Sequence, residues 1–150
     1  MTICNRKWLV LLVGLIFFMA DRFLKYFFLL QPTQPPTPPF YYSPNPNLVF
    51  SLPLLPAVRP FFYFFLLLII IILASLFLRA WHHSRLLPLL ALWLILLGAI
   101  SNTLDRFRYG AVIDYLDLGL LSILNLADIM IIFGLGLFCY HLFYCKKVIK

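Results

Sequence analysis

The stretch from Asn102 to Asp117 reads NTLDRFRYGAVIDYLD and separates two long apolar segments. It holds three of the five acidic residues of a 150-residue chain that is 64% hydrophobic. A fourth aspartate, Asp128, follows eleven residues later. Carboxylates are costly close to lipid and usually serve a function there. We therefore expect this stretch to join two membrane helices and to carry part of a functional site.

The composition around this stretch predicts an integral membrane protein. The mean hydropathy is +1.00 and only 11% of residues are charged, which is more apolar surface than a soluble domain of this length can bury. The formal charge of +7 comes from short basic segments beside apolar runs, a pattern of membrane topology rather than of nucleic-acid binding. Cys4, Cys139 and Cys145 lack metal-ligand spacing, so neither a metal nor a cofactor is predicted.

Four apolar segments reach the length of about 20 residues that a helix needs to cross a bilayer. They cover residues 8–30, 61–78, 86–104 and 120–144 of a predicted single domain, 1–150, of all-α class. The first segment begins like a signal peptide. Its apolar pattern resumes after DRFLK, Asp21–Lys25, which favours an uncleaved helix.

The basic residues predict the orientation of these segments. Three lie in the connections predicted on one side, namely Arg59, Arg106 and Arg108, and seven lie in the segments predicted on the other, namely Arg6, Lys7, Arg79, Arg85, Lys146, Lys147 and Lys150. The positive-inside rule then places both termini in the cytoplasm.

The outer loop, residues 31–60, carries ten of the eleven prolines. Such a composition predicts an extended, polyproline-like connector, with NLVFSL, residues 47–52, compatible with a short strand.

This topology brings most polar residues to one depth on the outer side. Asp21 and Lys25 lie in the outer half of the first segment, and Asn125 and Asp128 in the first turns of the fourth. Individually they have structural explanations: Asp21 and Lys25 can neutralise each other at i and i+4, and Asn125 can satisfy Asp128. Similarly, Arg106 and Arg108 can anchor at the interface and Asp117 can face water. Their convergence favours a site.

Carboxylate chemistry fits that site best. The three histidines are predicted on the opposite side, and no outer cysteine offers a nucleophile. Two aspartates in one site share a proton, so that one activates water while the other polarises a carbonyl group. Asp114 and Asp128 come from different elements, Asp105 beside Arg106 looks structural, and Asn102 and Asn125 can orient the pair. Spacing alone does not rank these choices.

The motifs resemble those of signal peptidase II, the lipoprotein signal peptidase family of bacteria. The first segment contributes DRFLK and the outer loop contributes NPNLVFS, through Asn45, Phe50 and Ser51. The third and fourth segments contribute SNTLDRFRYGAVIDYLD and LNLADIMIIFG. The chain departs from the family pattern at Asn47, Leu48 and Val49 in the loop, at Ser101 where glycine is usual, and at Tyr115 where phenylalanine is common.

The resemblance implies an aspartic endopeptidase of the bacterial cytoplasmic membrane, with its site at the extracytoplasmic face. It implies cleavage of diacylglyceryl-modified prolipoproteins before the lipid-modified cysteine, without a cofactor, by a monomer among membrane lipids. The outer loop would form a small β-cradle. The implied dyad is Asp114 and Asp128, and the implied supporting residues are Asp21, Lys25, Asn45, Asn102, Asp105, Arg106 and Asn125.

Two other functions compete with this one. A small proton-coupled transporter also uses membrane carboxylates, but usually near the bilayer midplane. A non-catalytic membrane adaptor would use its polar residues only to hold helices together.

Overall fold

The computed structural model describes residues 3–31, 38–46, 55–119 and 122–144. Its four long helices are α1 (Ile3–Leu29), α2 (Arg59–His82), α3 (Leu86–Tyr109) and α4 (Leu126–Tyr144). The described residues also form two short strands, β1 (Phe40–Asn45) and β2 (Val112–Leu116), and a 3-10 turn, Pro56–Val58, before α2. The mostly helical class predicted from the sequence is confirmed, together with a small sheet.

Among the described residues, α2, α3 and α4 are long and apolar enough to cross a membrane. The helix α1 has similar length but carries five charged residues, two in its first two turns and three between Asp21 and Lys25. The number of crossings and the side on which the termini lie therefore stay predictions.

The helix α3 is the centre of the bundle and contacts each of the other three helices. Its buried residues include most of the apolar core, for example Leu89, Leu92 and Leu96. Small residues bring α3 and α4 together: a Cβ added at Gly98 would lie 2.6 Å from the Ala127 carbonyl oxygen, and one at Gly134 would lie 2.8 Å from that of Ala91. Close backbone approach through small residues is the usual way in which membrane helices pack.

The two strands pair antiparallel, with Ser43 opposite Asp114 and Asn45 opposite Val112. Gly110 ends α3 in the left-handed conformation (φ 72°), as expected for a turn at this glycine, and the chain enters β2 two residues later. At the end of β2, Leu116 also forms an antiparallel bridge with Leu124. The sheet therefore covers one end of the bundle, between α3 and α4.

The helix ends differ from the predicted membrane segments at several points. The third segment was expected to end at Leu104, and α3 continues to Tyr109. The fourth was expected from Leu120, but α4 begins at Leu126, since Leu124, two residues earlier, pairs with Leu116 of β2. Asp114 was expected in a loop and lies in a strand. The strand in the outer loop is Phe40–Asn45. The NLVFSL segment, residues 47–52, lies outside the described residues, with Asn47, Phe50 and Ser51.

Candidate active site

Asp114 lies at the middle of β2 with only 3% of its surface exposed. Both of its carboxylate oxygens accept hydrogen bonds from asparagine amides. Asn125 Nδ2 donates to Oδ1 at 2.6 Å, and Asn45 Nδ2, from the paired strand β1, donates to Oδ2 at 3.1 Å. The sheet and the start of α4 therefore hold this carboxylate from two sides.

Asp128 lies in the first turn of α4 and forms a reciprocal cap with Asn125. The Asn125 side-chain oxygen accepts the Asp128 backbone N–H at 2.9 Å, and the Asp128 carboxylate accepts the Asn125 backbone N–H at 3.2 Å. This is the capping-box arrangement, with asparagine and aspartate in the two roles. It corrects the prediction that Asn125 lies within the fourth helix: Asn125 is the residue that caps it.

Asn125 consequently connects the two aspartates of the predicted dyad. Its amide nitrogen binds Asp114 while its amide oxygen and backbone N–H hold Asp128. Asn125 is fully buried, so a donor or acceptor of this side chain left without a partner would cost free energy. One amide thereby fixes a strand carboxylate and a helix carboxylate relative to each other.

The remaining N–H groups at the start of α4 are also satisfied by side chains. Leu126 N–H donates to the Tyr115 hydroxyl at 3.0 Å, and Ala127 N–H donates to Asp21 Oδ1 at 3.0 Å. A helix start that is buried requires such partners, because its first N–H groups have none within the helix. Tyr115 and Asp21 therefore fix the position of the turn that carries Asp128.

Below this turn, two acids and two bases form an ion-pair cluster between α1 and α3. Lys25 is fully buried and lies 3.2 Å from Asp21 and 2.8 Å from Asp105. Arg22 pairs with the other oxygen of Asp105 at 2.6 Å. The predicted pair of Asp21 and Lys25 is thus present within a larger, electrically balanced cluster of the kind that buried charges need.

Asn102 joins this cluster to the catalytic candidates. Its side-chain oxygen accepts a hydrogen bond from Lys25 Nζ at 2.7 Å, and its Nδ2 donates to Asp128 Oδ1 at 2.8 Å. Asp105 in turn accepts the backbone N–H of Ile113 at 3.4 Å, next to Asp114 in the strand. The side chain of Asn102 therefore links the ion-pair cluster to Asp128, and the backbone of Ile113 links the cluster to Asp114.

Arg106 was predicted among the supporting residues, and the structure places it beside them. Its guanidinium donates to the Asn102 carbonyl oxygen at 3.3 Å and lies over the Phe62 ring of α2, 5.7 Å from the centroid. Within the described residues Arg106 makes no ion pair with Asp105, although the two are neighbours in sequence.

Burial raises the pKa of Asp114 to about 7, and the negative charge of Asp128 acts in the same direction. The hydrogen bonds from Asn45 and Asn125 oppose this shift, as does the charge of Lys25. Near neutral pH the Asp114 carboxyl group can therefore hold or release a proton, which general acid chemistry requires.

Sequence reasoning missed three polar contributors, namely Arg22, Ser101 and Tyr115. Ser101 is fully buried; its hydroxyl donates to Asp21 at 2.5 Å and accepts from Arg22 at 3.1 Å. Tyr115 stacks on Phe28 with 5.1 Å between centroids, and its hydroxyl caps α4. The available signal was that Ser101 and Tyr115 depart from the family pattern by adding a hydroxyl group at a buried position.

Two cavities flank the dyad. A polar cavity of about 140 Å³ is lined by Asp114, Asn45, Ser122 and neighbouring backbone of β1. An apolar cavity of about 290 Å³ lies beside the first turns of α4, against α1 and α3, where Leu126 and Ile129 flank Asp128 in sequence. The polar cavity therefore contacts Asp114, and the apolar cavity runs along α4 from the turn that carries Asp128.

These features define a class: a multi-pass membrane protein with a buried and a half-buried carboxylate, linked by one asparagine, at one end of a helical bundle. A profile of the family described as signal peptidase (SPase) II matches residues 13–144. The chain belongs to this family, which confirms the resemblance seen in the motifs. The family and the apolar helices together make it a bacterial membrane protein.

Curated relatives include proteins named lipoprotein signal peptidase. That of Moorella thermoacetica is 47% identical over 57 residues, 37% of this chain and 38% of the relative. That of Halothermothrix orenii is 42% identical over 55 residues, again 37% and 38% of the two chains. These alignments span less than half of each relative's length.

Two solved structures, each described as a bacterial membrane enzyme, share the fold. One has a TM-score of 0.78 at 23% identity and covers 94% of this chain and 91% of its own. The other has a TM-score of 0.72 at 23% identity and covers 90% and 92%. The fold is therefore similar over nearly the whole chain, well beyond the segments where sequence identity is high.

Proposed function

We propose that this protein is an aspartic endopeptidase that removes signal peptides from prolipoproteins just before the lipid-modified cysteine. The observation that carries the proposal is the bridge through Asn125, which holds Asp114 and Asp128 in one hydrogen-bonded unit. Family membership and the names of the curated relatives support the substrate class.

In this proposal Asp114 carries the shared proton and Asp128 is the base. Asp128 accepts N–H donors from Asn102 and Asn125 in the first turn of α4, where the helix dipole favours a negative charge. Asp128 takes a proton from water, and the water oxygen bonds to the scissile carbonyl carbon. Asp114 gives its proton to the carbonyl oxygen. Collapse of the intermediate then breaks the C–N bond, and the leaving nitrogen receives a proton from the dyad.

The two cavities suit the two parts of such a substrate. The polar cavity beside Asp114 is large enough for water and a peptide group. The apolar groove beside Asp128 can hold an acyl chain or an apolar signal segment without removing it from the bilayer. Keeping the acyl chains in lipid avoids a cost of about 0.8 kcal/mol per CH₂ group. The β1–β2 sheet is the proposed β-cradle over the peptide.

The proposed topology has four crossings and both termini in the cytoplasm, with the sheet on the outer side. It is supported by the distribution of basic residues, seven on one side and three on the other. In a variant whose Cys139 and Cys145 are serine, a membrane-impermeant thiol reagent should label Cys4 only after permeabilisation. A cysteine introduced at exposed Arg108, in a cysteine-free chain, should react in intact cells. The opposite labelling pattern would overturn the topology.

The function is tested by incubating the purified protein with a diacylglyceryl-modified prolipoprotein and following the size shift. Asp114→Asn and Asp128→Asn should each lower cleavage by at least about 10³-fold, since removing one member of a catalytic unit disables it. Asp117→Asn is the matched control. Asp117 follows the same strand, but its carboxylate accepts hydrogen bonds from the Tyr41 hydroxyl and the Gly119 N–H rather than from the dyad's asparagines. It should cleave normally.

Normal cleavage by either dyad variant would refute the assignment. Retention of all cellular roles by both variants, with no reaction lost, would favour an adaptor. Proton-coupled flux through liposomes containing the wild-type protein, without cleavage, would favour a transporter.

A further inference from the structure

The end of the bundle opposite the dyad contains a cavity of about 360 Å³ that the proposed function does not use. Its walls are apolar, from residues such as Leu76, Leu92 and Phe138, while Arg79, Arg85, His83 and His141 also line it. It lies where the last turn of α2, the first turn of α3 and the last turns of α4 meet. In a membrane protein such a place is at the level of the lipid headgroups, with the apolar wall towards the acyl chains.

Among the described residues, no carboxylate side chain lies near the cations of this cavity. The five acidic residues are all described, and Asp21, Asp105, Asp114, Asp117 and Asp128 all belong to the dyad end, in or next to the cluster and the sheet. Across the described ranges, Arg79, Arg85 and His83 form no side-chain hydrogen bond or ion pair. The cavity therefore combines an apolar wall with a positive charge that the protein itself leaves unbalanced.

A buried histidine nitrogen also favours a polar ligand in this cavity. Of the side-chain nitrogen and oxygen atoms in the described part of the chain, the Nδ1 of His141 is the one buried atom without a hydrogen-bond partner. Leaving such an atom unpaired in a protein interior costs about 1–3 kcal/mol. His141 lines this cavity, so a polar ligand there would satisfy it.

The start of α3 adds to the positive potential. Arg85 precedes this helix and provides no side-chain cap, and Pro88 lies in its first turn. The first N–H groups of a 24-residue helix have no carbonyl partner within the helix and favour an anion, and here they adjoin Arg85, which lines the cavity. Two kinds of group thus favour an anionic ligand, the guanidinium groups and the helix start, and the unpaired imidazole nitrogen favours a polar ligand.

We propose that this cavity binds an anionic phospholipid, with the phosphate between Arg79 and Arg85 and an acyl chain along the wall formed by α2 and α4. The apolar wall distinguishes a lipid from a free phosphate ion, since a free ion gains nothing from Leu76 or Phe138. The negative charge distinguishes it from a zwitterionic lipid, whose own cation would be repelled by the arginines.

The test measures binding of short-chain phosphatidylglycerol and phosphatidylcholine with identical acyl chains to the delipidated full-length protein in neutral detergent. The wild type should bind phosphatidylglycerol at least about tenfold more tightly. Arg79→Gln/Arg85→Gln should lose this preference, since two arginines near an anionic headgroup are worth roughly 30-fold in affinity. Arg79→Lys/Arg85→Lys keeps the charge and should keep most of the preference.

The matched control is Arg59→Gln/Arg108→Gln, which removes two exposed arginines from the other end of the bundle. It should bind like the wild type. Thermal unfolding without lipid shows whether each variant is folded; should Arg79→Gln/Arg85→Gln be unfolded, the single Arg79→Gln variant replaces it, with a loss of about fivefold expected.

Three outcomes would overturn the proposal. The wild type binding both lipids equally would exclude a charge-selective site. An equal loss in the control variant would mean that diffuse charge is responsible. Inorganic phosphate displacing phosphatidylglycerol at equal affinity would mean that the cavity takes the free ion and that the apolar wall is irrelevant. None of these measurements depends on peptidase activity.

Discussion

The helices α2 and α3 are both 24 residues long and adjacent in the bundle, but they differ in an instructive way. The most apolar 18-residue window of α2 has a mean hydropathy of 3.0 and none of it is buried inside the protein; that of α3 has 2.0 and 67% of it is buried. In a soluble protein the more apolar helix would be the inner one. Here lipid replaces water, so apolarity marks contact with the bilayer and polarity marks the interior.

The polar interior of α3 serves a definite purpose. Asn102 connects the ion-pair cluster to Asp128, Asp105 binds the backbone next to Asp114, and Ser101 binds Asp21 within the cluster. The difference between α2 and α3 therefore implies that polar changes in the interior should be costly, whereas conservative changes on the lipid face should be nearly neutral.

The largest effect is expected from Lys25→Met. This change leaves Arg22 as the one cation of the cluster, facing two aspartates, Asp21 and Asp105. It also removes the hydrogen bond that Lys25 donates to Asn102. Breaking a buried ion pair from one side costs about 3–5 kcal/mol, so thermal unfolding in detergent should occur at a much lower temperature and cleavage should be lost. Arg59→Met, an exposed cation at the start of α2, is the control. Equal shifts in the two variants would contradict the importance of the cluster.

A second effect concerns pH. Burial first, and then the charge of Asp128, raises the pKa of Asp114 to about 7, so Asp114 is protonated in mildly acid solution and ionises above that pH. Because the group's pKa is raised on folding, its contribution to stability is complete below about pH 4, its unfolded value, and is lost as the pH rises through about 7. If it is the acid of the reaction, kcat/KM should fall about tenfold per pH unit above 7.

This dependence is measured as cleavage between pH 5 and 9, with the thermal midpoint recorded at each pH. The midpoint of Asp114→Asn should depend less on pH over the same range than that of the wild type. Activity that rises steadily from pH 7 to 9 would rule out Asp114 as the proton donor.

A smaller effect is expected from Tyr115→Phe. The ring still stacks on Phe28, but the partly buried Leu126 N–H loses its acceptor, at a cost of about 1 kcal/mol. Since this turn carries Asp128, kcat should fall about tenfold while KM changes little. Tyr109→Phe, at the exposed end of α3, is the control. A change in unfolding temperature with kcat untouched would make Tyr115 merely structural.

The smallest effect compares the two helices directly. Ile95→Val on α3 removes a methyl group from a side chain that is 6% exposed and should cost about 0.5–1.5 kcal/mol. Ile72→Val on α2 changes a side chain that is 49% exposed to lipid and should cost close to nothing. Equal costs would mean that α2 is covered by protein in the membrane.

Much of this molecule could be predicted from its sequence because lipid makes hydropathy informative. All four helices were located within a few residues at most ends, and Asp21, Lys25, Asn102, Asn125 and Asp128 were expected at one end, where the structure brings them together. The polar residues are few, so each one in an apolar segment carries information.

What could not be predicted depends on partners far apart in the chain. The sequence of Phe40–Asn45 does not by itself predict a strand. This segment is a strand because it pairs with β2, which lies about 70 residues later in the chain. Ser101 binds Asp21 of α1, and Tyr115 caps the start of α4. Arg22 pairs with Asp105, which is 83 residues later in the chain. The sequence contains these residues but not the geometry that makes them neighbours.

The central claim is that Asn125 makes one proton-sharing unit of Asp114 and Asp128, and a double-mutant cycle on the cleavage rate tests it most directly. Rates are measured for the wild type, Asp114→Asn, Asp128→Asn and the double variant on one diacylglyceryl-modified substrate. A single unit predicts that the double variant is no slower than either single variant. A double variant whose loss equals the product of the two single losses would show that the aspartates act independently, and would contradict the account.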